Sequence, residues 1–299
     1  MTIVLCSDEK FAMPCAVCIV SLFENNADND FDVVILTDGF SPDTEKKLLS
    51  IGNKYNRDIR IINIDDSRFA SLKVSSVFPK SIYYRFLIPS LLPECHKAMY
   101  MDCDMVVNAP LNELWETPLD GMACAAVEDQ TADDVRHSNR TGVDYPYFNS
   151  GLLLMNLDYW RSHNLAAKCV EFIAENPERC LYPDQDALNH ILAGKTVYLP
   201  YRYNFQHYMF LNKYELFLHR NKWNDIDRAM NDIAIMHYCF MIKPWNTNCP
   251  HPDPGLFRKY LQMTPWKGYR MKKYSRHPNS FFRKTARNIR KALGIRTLL

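Results

Sequence analysis

Residues 98–107, Ala-Met-Tyr-Met-Asp-Cys-Asp-Met-Val-Val, form an apolar run broken by two carboxylates one residue apart. Hydrocarbon on both sides is the pattern of a strand covered on both faces, as in parallel sheets. Such a strand does not hold two unpaired anions without a cation to neutralise them, because an isolated buried charge is strongly disfavoured. Asp102 and Asp104 are therefore expected near the end of a buried strand, where open α/β sheets place ligand chemistry. The cation expected there is a hard divalent metal, Mg²⁺ or Mn²⁺. The competing reading is a pair of carboxylates that cap a following turn.

The same spacing recurs at Asp28/Asp30, Asp30/Asp32, Asp184/Asp186 and Asp225/Asp227. The pairs at 28–32 and 225–227 lie among Asn and other polar residues, where solvated turns and helix caps account for them.

With 299 residues, 47% hydrophobic and 13% aromatic, the chain is long enough to bury a full core in one large or two modest domains. No run approaches the roughly 20 apolar residues of a membrane span. Residues 1–8 read as a first strand rather than as a secretory signal, so a cytoplasmic location is expected. There the ten cysteines act as small buried apolar residues rather than as disulfides. Cys15 and Cys18 alone have metal-like spacing, without the second pair that a zinc site needs.

Thirteen of the 36 Lys and Arg, and none of the 34 Asp and Glu, fall in 256–299, so the chain is an acidic body with a basic tail. The connector 249–255, Cys-Pro-His-Pro-Asp-Pro-Gly, separates the two, which places a body at 1–250 and a tail at 251–299. Phe282, Ala286, Ile289 and Leu293 recur at helical spacing among Arg283, Lys284, Arg287, Arg290 and Lys291. A basic amphipathic helix with aromatic flanks suits an anionic membrane surface, where each basic residue contributes about 1 kcal/mol. Nucleic acid is the competing partner and is disfavoured, since the acidic body offers no recognition motif. Packing of the helix on the chain's own acidic body is the remaining alternative.

Strand and helix signals alternate along the body. Strands are expected at 3–6, 33–36, 59–64, 122–127 and 150–156, with helices at 12–24, 41–55, 83–92 and 187–192. Pro14 falls in a first helical turn, and Ser41-Pro42 gives an N-cap followed by proline at the first helical position. The alternation predicts an α/β fold, a mostly parallel sheet with helices on both faces.

Further motifs follow in order: Asp8 after the first strand, Arg85 in Ser81-Ile82-Tyr83-Tyr84-Arg85, then Asp102/Asp104, Phe148-Asn149-Ser150-Gly151, Asp184-Gln185-Asp186, and His237-Tyr238 with Lys243-Pro244-Trp245. In this set and order the chain resembles glycosyltransferase family 8, and is similar to the bacterial lipopolysaccharide galactosyltransferases and glucosyltransferases, over about residues 1–250. The resemblance implies a GT-A-type, Rossmann-like fold and a retaining transfer of galactose or glucose from UDP-galactose or UDP-glucose to a glycan acceptor. By the same resemblance, Asp102, Asp104 and His237 hold Mn²⁺ on the diphosphate. Lys243 meets the phosphates and helps UDP leave, Asp8 reads the uracil, and Arg85, Asn149, Asp184 and Gln185 line the donor sugar.

Gln185 stands where a retaining double displacement would need a carboxylate, and an amide is a poor nucleophile. That favours a front-face route in which the leaving phosphate deprotonates the acceptor; attack by Asp184 or Asp186 after a shift stays open. The chain departs from the family at Lys10, commonly a small polar residue, and at Phe240, often glycine. A ring at 240 is expected to crowd the phosphates or reroute the loop. Two other readings compete: a non-catalytic UDP-sugar-binding protein, and a phosphatase of the haloacid dehalogenase superfamily, which places its Asp-x-Asp-x-Val strand near the N-terminus. For an enzyme acting on a lipid-linked glycan, the tail predicts a peripheral position on the inner face of the cell membrane.

Overall fold

A computed structural model describes residues 1–69, 72, 78–210 and 218–275. Ten strands are described: β1 (Thr2–Cys6), β2 (Asp32–Thr37), β3 (Asp58–Asn63), β4 (Lys97–Met101), β5 (Met105–Val107), β6 (Cys124–Glu128), β7 (Phe148–Asn156), β8 (Thr196–Tyr198), β9 (Phe205–Gln206) and β10 (Ile235–His237). Seven of them form one sheet in the order β3-β2-β1-β4-β7-β6-β8, and the other three form a small sheet in the order β5-β10-β9. In the large sheet β7 runs antiparallel to both neighbours and every other pairing is parallel. The α/β fold with a mostly parallel sheet is thus the one the alternation predicts.

The sheet is buried on both faces, and side-chain alternation divides its core in two. Ile3, Leu5, Val33, Ile35, Met99 and Met101 point to one side. Val4, Cys6, Val34, Leu36, Ala98 and Tyr100 point to the other. The first side is covered by helix Ala12–Glu24, whose residues 12–23 are all buried, which is why that stretch is apolar all round. Trp160, Phe172, Leu188 and the aromatics of the 3-10 helix Lys80–Leu87 cover the second.

Local signals explain the element ends. Helix Pro42–Tyr55 starts where Ser41 Oγ accepts from Thr44 N–H at 3.3 Å and ends on Asn56 in the left-handed region, φ 51°. All ten cysteines are free, seven of them buried. Burial pushes the Cys18 thiol well up, and at Cys15 a hydrogen bond that its thiol makes to Cys103, together with burial, does the same.

Three features differ from the sequence expectations. The run 98–107 is not one strand: β4 ends at Met101, Asp102-Cys103-Asp104 turns, and β5 begins at Met105 in the small sheet. The segment expected to be helical at 83–92 is a 3-10 helix, Lys80–Leu87, followed by a single α turn, Ile88–Leu91. Past the connector, helix Gly255–Leu261 buries Phe257, Tyr260 and Leu261 in the core of the body. The amphipathic stretch 282–293 lies outside the described residues. Among the described residues no helix is long and apolar enough to cross a membrane.

Candidate active site

The turn 102–104 lies at the carboxyl end of β4, beside the carboxyl end of β1 that leads to Asp8. Pairing of β5 with β10 sets Met105 opposite His237, and the Tyr238 amide donates to the Asp104 carbonyl at 3.0 Å. That register carries the imidazole to the two carboxylates. His237 Nε2 lies 3.3 Å from Asp104 Oδ1 and 3.7 Å from Asp102 Oδ2. One ligand atom from each of Asp102, Asp104 and His237 falls within 4.8 Å of the other two, and no other trio of His, Cys, Asp or Glu among the described residues does so.

Both aspartates have a protein cation, so they are not the unpaired anions that the apolar run suggested. Arg85, 3% exposed, reaches Asp102 Oδ1 at 3.2 Å and Asp184 Oδ2 at 3.1 Å, and donates to the Ser150 carbonyl at 2.7 Å. Its guanidinium lies 4.2 Å from the centre of the Tyr100 ring, and Tyr100 itself donates to Asp102 Oδ1 at 2.5 Å. Lys243 Nζ donates to Asp104 Oδ2 at 2.5 Å and to the Tyr238 carbonyl at 2.9 Å. Burial alone would raise the Asp104 carboxyl, but Lys243 and His237 outweigh it and hold it well below the usual carboxylate range. At Asp184 burial wins over Arg85, and the carboxyl is raised.

Next to this cluster, helix Pro183–Ile191 brings Asp184, Gln185 and Asp186 in its first turn. Asn189, one turn later, clamps the helix to β7 by exchanging two hydrogen bonds with the Phe148 backbone at 2.8 and 2.9 Å. Gln185 Oε1 accepts from Ser150 N–H at 3.0 Å and from Asn149 Nδ2 at 3.3 Å, while its Nε2 donates to Asp129 Oδ2 at 3.4 Å. Asn149 also donates to Asp129 Oδ2, at 3.1 Å.

The structure thus brings together Arg85, Asp102, Asp104, Asn149, Asp184, Gln185, His237 and Lys243. Asp8 sits just past β1, where its carboxylate caps the following 3-10 helix by accepting from Phe11 N–H at 2.9 Å. Asp186 does not face the cluster. It is fully buried, accepting from Tyr147 Oη at 2.7 Å, from Tyr182 N–H at 2.8 Å and from Arg140 at 3.2 Å. It is therefore a structural anchor, and of the two carboxylates considered for attack only Asp184 borders the site. Lys10 is exposed. Phe240 stacks on His207 with ring centres 4.6 Å apart and near-parallel planes. Among the described residues only Asn56 and Asn164 have positive φ without being glycine, so the loop accepts Phe240 without left-handed strain.

Two members escaped the sequence reading. Asp129 follows β6, and an acid just past the carboxyl end of an interior strand is a readable signal. Asn204, fully buried before β9, joins His237 Nδ1 at 2.9 Å to Asn149 Oδ1 at 2.9 Å; an asparagine in a loop carries no such signal.

Residues 2–249 match the profile of glycosyl transferase family 8. The chain belongs to glycosyltransferase family 8. It is 31% identical over 274 residues to general stress protein A of Bacillus subtilis, covering 89% of this chain and 94% of that protein. It is 29% identical to the lipopolysaccharide glucosyltransferase WaaO of Escherichia coli K12, covering 87% and 77%. The fold matches the crystal structure of the galactosyltransferase LgtC with donor and acceptor sugar analogs, at a TM-score of 0.82 and 24% identity over 90% of this chain and 99% of that one. Family membership sets aside the haloacid dehalogenase reading, as do the three strands that precede the Asp-x-Asp turn.

The donor set of this family 8 chain fits a hard divalent cation. Two carboxylate oxygens and one imidazole nitrogen converge, leaving further coordination positions open to other ligand atoms. The space between them exists because residue 151 is glycine.

Proposed function

We propose that the chain is a retaining hexosyltransferase that moves galactose or glucose from a UDP-sugar to a glycan acceptor. The observation that carries this reading is the convergence of Asp102, Asp104 and His237 beside Lys243 on one side and Gln185 on the other. The metal, Mn²⁺ or Mg²⁺, would be held by Asp102, Asp104 and His237 and would neutralise charge on the donor diphosphate. Lys243, poised on Asp104, supplies a mobile point charge to the phosphate that departs. Asp8 is assigned to the uracil, and Arg85, Asn149, Asp184 and Gln185 to the sugar side, Arg85 acting largely by holding Asp102 and Asp184 in place.

Retention is assigned to a front-face course. The acceptor oxygen bonds to the anomeric carbon on the face from which the carbon–oxygen bond to phosphate breaks, and the hydroxyl proton passes to the departing phosphate oxygen. Three observations favour it over a covalent intermediate: Gln185 is an amide fixed by Ser150 and Asp129, Asp186 is turned away into its pair with Arg140, and Asp184 is tied to Arg85. The relatives named as lipopolysaccharide glucosyltransferases and galactosyltransferases support a lipopolysaccharide or other lipid-linked surface glycan as acceptor. A peripheral position on the inner face of the cell membrane fits the basic residues of 256–299, with Tyr269 and Met271 exposed beside Arg270, Lys272 and Lys273.

The test is UDP release and binding with UDP-galactose and UDP-glucose, with and without Mn²⁺, comparing wild type with Asp102→Asn. Metal-dependent release that the variant loses is expected, and the faster donor names the sugar. Binding without release under any condition, acceptor glycans included, would move the assignment to a non-catalytic UDP-sugar binder.

A further inference from the structure

The hydrogen bonds behind His237 have a polarity fixed from one end to the other. Asp129, 8% exposed, takes hydrogen bonds from the Thr131 amide and hydroxyl at 2.9 and 2.6 Å and acts as acceptor. The Asn149 group 3.1 Å from its other oxygen must therefore be the NH₂. Asn149 Oδ1 then points the opposite way, where the Gly151 backbone N–H, which can only donate, lies at 3.1 Å. The Asn204 group 2.9 Å from that same oxygen must be a donor too, so the Asn204 NH₂ is assigned and its Oδ1 faces His237 Nδ1. An amide oxygen only accepts, so Nδ1 carries the proton. In the neutral ring Nε2, which faces Asp102 and Asp104, is then the nitrogen with the lone pair.

We propose that Asn204 is a positioning residue for the metal centre. It fixes the tautomer and ring orientation of His237 so that Nε2 is the ligand, and it ties that choice through Asn149 to Gln185 on the sugar side. The proposal rests on the divalent-metal reading above. Asn204 accepts from Nδ1–H and so holds the ring with Nε2 aimed at the point between the Asp102 and Asp104 oxygens, where a cation would bridge the three. Outer partners that orient a ligating histidine typically change metal affinity 10–100-fold when removed. Asn204 is fully buried and Asn149 is 7% exposed, so water offers no ready substitute.

The experiment uses the full chain with Asn204→Leu and Asn204→Asp, and two readouts. Long-range ¹H–¹⁵N spectra of the metal-free protein, at a pH where the ring is neutral and with His237→Gln for identification, locate the ring proton. Titration with Mn²⁺ followed by electron paramagnetic resonance, without donor, measures affinity. Wild type is expected to carry the proton on Nδ1. Asn204→Leu should shift it toward Nε2 and weaken Mn²⁺ by roughly 10–100-fold. Asn204→Asp, which still accepts from Nδ1 but no longer donates to Asn149, should keep both the tautomer and Mn²⁺ affinity within a few-fold; if the leucine variant does not fold, this one decides. A wild-type proton on Nε2, or a leucine variant that loses only thermal stability, would overturn the proposal. A wild type with the proton on Nδ1 that binds no Mn²⁺ would overturn the metal reading and with it the metal-positioning role, leaving only the tautomer assignment standing.

Discussion

Gly151 lies against His237 so closely that a Cβ on residue 151 would stand 2.5 Å from the imidazole Cε1 and 2.8 Å from Asp102 Oδ2. The glycine serves close approach, not an unusual backbone angle, since residue 151 is in the middle of β7. Gly151→Ala is therefore expected to push the imidazole off the aspartates. Overpacking of this kind costs about 1–3 kcal/mol. Thermal melts should show that modest loss while Mn²⁺ affinity and UDP release collapse; a variant that keeps both would disprove the steric role.

Gln185 and Asp186 are neighbours in sequence with opposite assignments, and their variants should separate. Gln185→Ala removes the amide held by Ser150 and Asp129, and kcat is expected to fall at least tenfold with little change in stability. Asp186→Asn leaves Arg140 without its counter-charge in a buried setting, a loss of about 3 kcal/mol. Denaturant unfolding and Mn²⁺ titration distinguish the two, because the Asp186 variant should retain metal affinity when folded.

His251 provides a pH signature from outside the proposed ligand trio, packed against Tyr238 and His207. Burial, with His207 beside it, pushes its pKa from 6.5 down to about 4, against a small opposing effect of Asp253; His207 is lowered by burial and by Lys243. A histidine lowered in the folded state binds its proton more readily when unfolded. Stability is thus at its full value above pH 6.5 and falls as pH drops from there toward 4. The loss expected from His251 is about 3 kcal/mol. Urea melts at pH 7 and 5 capture about 2 kcal/mol of it, and His251→Asn, whose amide oxygen can still accept from Asp253 N–H, should flatten the dependence.

Truncation tests the tail. A cut at 256 would strip Phe257, Tyr260 and Leu261 from the core, so the informative chain ends at Ser275. UDP release is expected to persist and flotation with anionic liposomes to fall. Unchanged flotation would refute the membrane role of 276–299.

The long elements were legible because their periods are strong. The buried runs of β1, β2 and β4 and the Ser41-Pro42 start of its helix are local signals that tertiary packing reinforced. Helix Leu165–Glu175 also carried one, with Leu165, Cys169, Phe172 and Ile173 at helical spacing and all buried, and it went unread. Strand β9 was not legible, for two residues show no period, and β5 was legible only as the continuation of the run that begins in β4. In the site, carboxylates inside apolar sequence stood out. Arg85 and Asn149 emerged from the family resemblance alone, and Asn204 from neither, because its importance lies in which way its amide points.

The break between β4 and β5 has a consequence for how the molecule holds together. Strands of three, two and three residues hold too few hydrogen bonds to persist as an independent sheet. Yet Asp102 directly follows β4 of the large sheet, while Asp104 directly precedes β5 and His237 ends β10 of the small one. An ion gripped by all three would act as a rivet across the seam, making order in the small sheet and loading of the site a single equilibrium. Donor binding should then slow amide exchange at 205–206 and 235–237, on the face of the protein that organises the reaction rather than performs it.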